Sequence, residues 1–207
     1  MKLASMKIRI DFQEDLLGSW PADQEVLTRY ISNKAPADWL QAEEGDSIAK
    51  RSNDTGYTVF PQDDAGMFLW NYHLKGFLKE AGNVLKESVG VKNLRSKIDN
   101  HIFVNPRRLY IFRGTNGKVE KVQEPDDILE RPLRAQTAMG PRVTLAGSER
   151  IFAPAYVYAT IELVPHKELD VDLIQQLLDY GRLKGLGQWR NASYGSFTWT
   201  EVTEAKE

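Results

Sequence analysis

The chain has no cysteine among its 207 residues. Disulfide bonds, zinc sites built on thiolates and cysteine nucleophiles are therefore excluded. Histidine is also scarce: His73, His101 and His166 are the only three, and no two lie four residues apart, as a zinc-binding pair on one helix would require. We expect no metal and no other cofactor.

Long apolar runs and a strong net charge are also missing. The apolar runs are far shorter than the roughly 20 residues that span a bilayer. The first residues, MKLASMKIRIDF, alternate instead of forming the apolar block of a signal peptide. We therefore expect a cytoplasmic protein with no membrane contact. The formal net charge is −2, so any nucleic-acid binding has to come from a local basic patch.

Hydrophobic periodicity predicts a mixture of strands and helices. Helices are expected over Gly66–Gly90 and Asp170–Gly185, where apolar residues recur at helical spacing and Asp170 is a suitable N-cap. Asn116–Gly117 is a typical hairpin turn. Strands are expected at Met6–Phe12, Arg107–Phe112, Lys118–Val122, Ala155–Val164 and Tyr194–Val202.

The remaining stretches are mostly polar and lack a clear period, except that Val26, Leu27, Tyr30 and Ile31 lie at helical spacing. Residues 13–65 are interpreted as an insertion or a small helical subdomain, Lys92–Ile102 as a basic connector, and residues 124–153 as a projecting hairpin arm. Without them the order is strand, helix, two strands, helix, strand. The sequence therefore predicts an α+β fold over residues 1–207. It consists of a ferredoxin-like (RRM-like) antiparallel sheet with two helices, plus the N-terminal insertion and the arm.

A glycine-rich loop, RLKGLGQWRNASYGSF, follows the second predicted helix. It is neither a Walker loop nor a Rossmann fingerprint, because it runs from helix to strand and lacks a Gly-Lys-Ser/Thr run. In one interpretation its backbone N–H groups meet phosphates. In the other it is a helix C-cap followed by a turn.

This loop resembles the C-terminal glycine-rich loop of the RAMP superfamily, the CRISPR-associated RNA-binding proteins. The matching positions are Gly185, Gly187, Ser193, Tyr194 and Gly195.

The segment YHLKGFLKEA resembles the first-helix motif of the same superfamily. It matches at Leu74, Lys75, Gly76 and Lys79, whereas Tyr72 and His73 replace the typical serines. Residues 130–163 resemble the stretch of backbone subunits that leads from a projecting hairpin into a long strand.

The resemblance implies a non-catalytic, backbone-type subunit that binds single-stranded CRISPR guide RNA. Its partners would be other effector subunits and further copies in a filament. The 124–153 arm would act as a thumb between guide bases, with Met139 as an apolar wedge; the alternative is an ordinary surface loop. The candidate RNA-binding residues are Lys75, Lys79, Arg107, Arg108, Arg113, Arg131, Arg134, Arg142, Lys184, Gly185, Gly187, Trp189, Arg190, Tyr194 and Gly195.

Two alternative functions remain open on the sequence alone. Some RAMP proteins cut RNA, so His73 is a candidate general acid or base for an endonuclease that processes the guide precursor, and Asp11 and Asp15 are candidate catalytic carboxylates. Each can equally be a packed or solvated residue. The slight acidity suits a second alternative, a phage-encoded mimic that docks on a CRISPR complex and blocks it.

Overall fold

A computed structural model describes residues 3–22, 57–115, 118–137 and 140–202. The predicted Asn116–Gly117 turn, Met139 and residues 23–56 of the predicted insertion lie outside these ranges, and only the backbone is described for Arg134 and Arg142. The predicted α+β fold with antiparallel sheets is confirmed, although the described residues contain three α-helices, not two. None of these helices is long and apolar enough to cross a membrane.

The described residues form thirteen strands, three α-helices and two short 3-10 helices, Tyr180–Arg182 and Arg190–Ala192. The α-helices are α1 (Asn71–Leu85), α2 (Leu94–His101) and α3 (Val171–Asp179). The strands are β1 (Ala4–Phe12), β2 (Leu16–Leu17), β3 (Trp20–Pro21), β4 (Tyr57–Val59), β5 (Gln62–Asp63), β6 (Gly66–Trp70), β7 (Ile102–Asn105), β8 (Arg108–Thr115), β9 (Lys118–Lys121), β10 (Asp127–Thr137), β11 (Gly140–Ile151), β12 (Ala155–Leu163) and β13 (Phe197–Glu201).

The larger sheet has the strand order of a ferredoxin-like fold. It runs β13-β1-β12-β8-β6-β5, with β7 also on β12 and β9 on β8, and every pair in it is antiparallel. The central pair is β1 with β12, in register from Ala4 opposite Leu163 to Phe12 opposite Ala155. Helix α1 follows β1 before the chain enters β7 and β8, and α3 connects β12 to β13, which gives two split βαβ units.

The core lies between this sheet and the helices. Alternate residues of β1 are buried, as the sequence predicts. Helix α3 buries Leu173, Ile174, Leu177 and Leu178. The Asp170 side chain accepts a hydrogen bond from the Leu173 N–H at 2.8 Å, so the predicted N-cap is correct.

Several predicted element boundaries are wrong. Helix α3 ends at Asp179 and not at Gly185, and strand β13 begins at Phe197 and not at Tyr194. The first helix begins at Asn71 and not at Gly66, because Gly66–Trp70 forms strand β6. All five residues of β6 are buried, with Leu69 in the main core and Phe68 in a second apolar cluster, so the strand shows no alternation that sequence analysis could detect. The predicted connector Lys92–Ile102 contains α2, which buries only two apolar residues.

The predicted arm is a long β-hairpin. Strands β10 and β11 are paired from Asp127 opposite Arg150 to Thr137 opposite Gly140. They belong to a smaller sheet in which β11 also contacts β4 and β2, and β4 pairs with β3. The described ends of the predicted insertion therefore contribute β2, β3 and β4 to the sheet of this hairpin, whereas β5 pairs with β6 of the larger sheet.

Candidate nucleic-acid interface

Two glycines of the glycine-rich loop, Gly185 and Gly195, are required because two segments of the loop backbone approach each other closely. A Cβ on Gly185 would lie 2.1 Å from the carbonyl carbon of Gly195, and one on Gly195 would lie 2.0 Å from the Leu186 oxygen. Gly195 also has a left-handed φ of +67°. The Leu186 N–H donates to the Gly195 carbonyl at 3.0 Å, and this hydrogen bond holds the two backbone segments together. Only glycine fits both positions.

The same loop docks on the segment that follows β1. The Gly195 N–H donates to the Asp15 carbonyl at 2.8 Å, and the Gln188 N–H donates to the Leu17 carbonyl at 3.2 Å. Gly187 has a φ of +80°, and a Cβ there would lie 2.6 Å from the Leu17 oxygen. These two N–H groups are therefore used inside the protein and are not directed at a ligand.

A carboxylate on α1 holds the two cations of the loop. Arg190 donates to Glu80 at 2.6 Å, Lys184 lies 3.3 Å from the same carboxylate, and Lys184 also donates to Asn191 at 3.0 Å. Burial alone would raise the pKa of Glu80, but hydrogen bonds and charge from Arg190 and Lys184 outweigh it and lower that pKa. Glu80 is therefore ionised at neutral pH.

A pocket of about 430 Å³ opens where β3, α1 and the glycine-rich loop meet. His73 lines it half-buried, and its Nδ1 is inaccessible and has no hydrogen-bond partner among the described residues. Burial and, secondarily, the charge of Arg190 lower the pKa of His73 to about 4. The imidazole is therefore neutral at pH 7. The residues of the pocket that concern its chemistry are Trp20, Tyr72, His73, Gly76, Glu80 and Arg190.

Gly76 stands out on the wall of this pocket. It is exposed in the middle of α1, and a Cβ there would meet no atom within 4 Å outside the neighbouring helix backbone. Packing explains the glycine at position 82 of the same helix, because a Cβ added there would lie 2.3 Å from the Ile98 side chain of α2. Glycine inside a helix is less stable than alanine by roughly 0.5–1 kcal/mol. Nothing in the packing of the described residues accounts for that cost at Gly76.

An aromatic stack connects the glycine-rich loop to the hairpin arm. The rings of Trp189 and Tyr194 are stacked with centroids 5.4 Å apart and planes 13° apart. The guanidinium of Arg131, on β10, lies 4.5 Å from the Trp189 ring centroid, in the range of a cation–π contact. Arg131 is buried, and its Nη1 lies 3.4 Å from the Ser148 hydroxyl. The arm and the loop are thus in direct contact.

The two predicted lysines of α1 are used to hold α2. Lys75 donates from Nζ to the Asp99 carbonyl at 2.9 Å and also to the Ile102 carbonyl, and burial lowers its pKa. Lys79 lies 3.0 Å from the Asp99 carboxylate. Both cations therefore satisfy groups at the C-terminal end of α2.

The predicted arginines of β8 and its entry also have partners inside the protein. Arg108 is 2.7 Å from Asp63, and Arg113 makes two hydrogen bonds to Asp126 at 2.9 and 2.5 Å. The Arg107 guanidinium lies 5.1 Å from the Trp70 ring centroid. The backbones of Arg134 and Arg142 lie opposite Val143 and Ala135, towards the far end of the hairpin.

The two candidate catalytic carboxylates are both engaged. Arg9 donates twice to Asp11, at 2.8 and 2.5 Å. Asp15 accepts from the Ala153 N–H at 3.0 Å and lies 3.5 Å from Arg150. The Arg9–Asp11 contact lies within β1, whereas the Asp15 contacts join the segment after β1 to the base of the arm.

Sequence reasoning missed two residues of the pocket, Glu80 and Trp20. Glu80 lies 110 positions from Arg190, and nothing in the local sequence marks it as the partner of that arginine. Trp20 comes from within the predicted insertion, where sequence analysis found no pattern that marks its ring as buried.

No model of a known protein family matches this chain, and no curated protein matches it. Among solved structures it is similar to a chain of Type III-B Cmr-beta bound to cognate target RNA, with a TM-score of 0.45 and 7% identity over 98% of this chain. It spans 60% of that chain's length. It is also similar to a chain of a Type IV-B CRISPR complex, with a TM-score of 0.49 and 11% identity, over 99% of this chain and 92% of the other. At these identities and TM-scores, neither likeness says what this chain binds.

Proposed function

We propose that this protein binds single-stranded CRISPR guide RNA as a backbone-type subunit of a multi-subunit effector complex. One observation carries the proposal. The three segments that resemble RAMP motifs are distant in sequence but lie together in the fold. Glu80 and Arg190 join the first helix to the glycine-rich loop, and Arg131 and Trp189 join that loop to the arm.

The chemistry of this junction suits single-stranded RNA, which needs cations for phosphates and flat rings for bases. Arg190 donates one hydrogen bond to Glu80, and a guanidinium carries five N–H donors. Trp189 is 39% exposed, which is high for a tryptophan. The contact surface therefore centres on three residues of the glycine-rich loop, Arg190, Lys184 and Trp189. Glu80 holds Arg190 and Lys184 side by side.

A binding titration tests this proposal. Fluorescence anisotropy should show that the protein binds single-stranded RNA with a strong salt dependence. Replacing both Lys184 and Arg190 with glutamine should weaken binding about tenfold or more and reduce the salt slope by about one for each phosphate that is no longer neutralised. The control is Lys118→Gln, an exposed lysine of β9. No measurable affinity in the wild-type protein contradicts the proposal and favours the protein-only mimic.

The endonuclease remains a second candidate, because His73 lies in the pocket beside Arg190 with a neutral imidazole. A neutral histidine can accept a proton from a ribose 2′-hydroxyl. In that case His73→Gln abolishes cleavage of labelled guide-precursor RNA while binding is retained. Intact RNA after prolonged incubation with the wild-type protein argues against this candidate.

A further inference from the structure

We propose that the pocket between β3, α1 and the glycine-rich loop receives one unpaired base of the bound RNA and that it favours guanine. This inference rests on the proposed function and adds a base-reading site to it. Binding of the RNA backbone at the same junction does not require such a pocket.

Gly76 is the first observation behind the proposal. It leaves open space on the exposed side of α1, at a position where the packing of the described residues would accept a side chain. Glycine is the default residue where another molecule approaches the backbone closely. The pocket beside Gly76, at about 430 Å³, falls in the size range of small-molecule sites.

The walls of the pocket fit a flat ring with polar edges. Tyr72 and His73 contribute aromatic rings in an edge-to-face arrangement with centroids 4.9 Å apart, and Trp20 contributes a third ring. Aromatic walls with a few polar groups are typical of sites that hold an extruded base.

The charged pair of Arg190 and Glu80 in the pocket lining is the reason that we propose guanine. Arg190 offers N–H donors, and the ionised carboxylate of Glu80 offers acceptors on the same wall. Guanine presents two neighbouring acceptors, O6 and N7, that suit a guanidinium, and the N2 amino group as a donor that suits a carboxylate. Uracil does not offer the same combination.

The test compares RNAs of one length and one sequence background. The probes are a labelled uridine oligomer and the same oligomer with a single internal guanosine, adenosine or cytidine. We expect the guanosine oligomer to bind about tenfold more tightly than the uridine oligomer, the range of one well-placed base contact. Gly76→Leu should remove this preference and retain uridine-oligomer binding, because leucine favours the helix and fills the pocket. Glu80→Gln should also remove it.

Matched variants separate the two proposals. Val84→Leu places the same side chain at an exposed position of α1 outside the pocket, and it should keep the guanosine preference. A guanosine preference that survives Gly76→Leu, or equal affinity for all oligomers in the wild-type protein, overturns the base pocket while the RNA-binding function stands. No binding to any oligomer overturns both. Circular dichroism of each variant confirms that the fold is intact.

Discussion

Glu80 on α1 accepts a hydrogen bond from Arg190 of the glycine-rich loop at 2.6 Å, across 110 positions of sequence. Lys184 reaches the same carboxylate. One acidic side chain thus holds the two cations that we assign to RNA, and it lines the pocket together with Arg190. We therefore expect both the stability of the protein and the proposed RNA binding to depend on this residue.

Glu80→Gln should lower the free energy of unfolding by about 1 kcal/mol at neutral pH, since the pair is about one-third exposed and partly screened by solvent. Urea unfolding monitored by tryptophan fluorescence measures the change. Glu87→Gln, an exposed glutamate just beyond α1, is the control and should have little effect. Equal stability of both variants would show that the Glu80 contacts contribute nothing.

The effect of Glu80→Gln on stability should depend on pH. Because the folded pKa of Glu80 lies below its ordinary value of 4.5, the stabilisation is fully present above that value and is lost as the pH falls through the lowered pKa. The stability difference between wild type and Glu80→Gln should therefore be constant from pH 6 to 7 and shrink below about pH 4.5. A difference that grows as the pH falls would contradict the contacts of Glu80 with Arg190 and Lys184.

Gly185→Ala should destabilise the protein by about 1–3 kcal/mol, because the new Cβ would collide with the Gly195 backbone, which cannot move aside like the end of a flexible side chain. Thermal unfolding measures the effect. Gly114→Ala serves as the control, since a Cβ there meets nothing within 4 Å. If Gly185→Ala does not change the stability, the Gly185 and Gly195 segments of the loop do not approach each other this closely.

Gly76→Ala should stabilise the protein by roughly 0.5–1 kcal/mol, because alanine restricts the unfolded chain and favours the helix. Gly82→Ala should not, because buried Ile98 would have to move. Differential scanning calorimetry of both variants tests this contrast. A loss of stability in Gly76→Ala would mean that the glycine is needed for the fold and is no pointer to a ligand.

His73 should remain neutral until well below pH 6. Its folded pKa of about 4 lies below the ordinary value of 6.5, so the unfolded state binds more protons between these values and stability falls as the pH falls from 6.5 towards 4. Two-dimensional NMR of the imidazole resonances follows the titration directly, and the spectrum of His73→Gln identifies the signal that belongs to His73. A midpoint for His73 near 6.5 would contradict the burial of its ring.

Local sequence patterns predicted much of the fold. Contacts between residues that are distant in sequence could not be predicted from such patterns. The alternation of Met6, Ile8 and Ile10 marks a strand with one buried face, and Asp170 marks the start of a helix. Strand β6 carries no such mark, because both of its faces are buried. The glycines identify a special loop, but the reason for them is the close approach of Gly185 to Gly195. The pocket depends on Trp20 and Glu80, which become its walls only after the chain has folded.

The central claim is that this chain holds single-stranded guide RNA. The most direct test is to purify the protein from its native or reconstituted setting at low and high salt, record the absorbance at 260 and 280 nm, and sequence any nucleic acid that co-purifies. The account predicts RNA of uniform length with repeat-derived ends at low salt, with less retained at high salt. A protein free of nucleic acid that co-purifies only with another protein would contradict it.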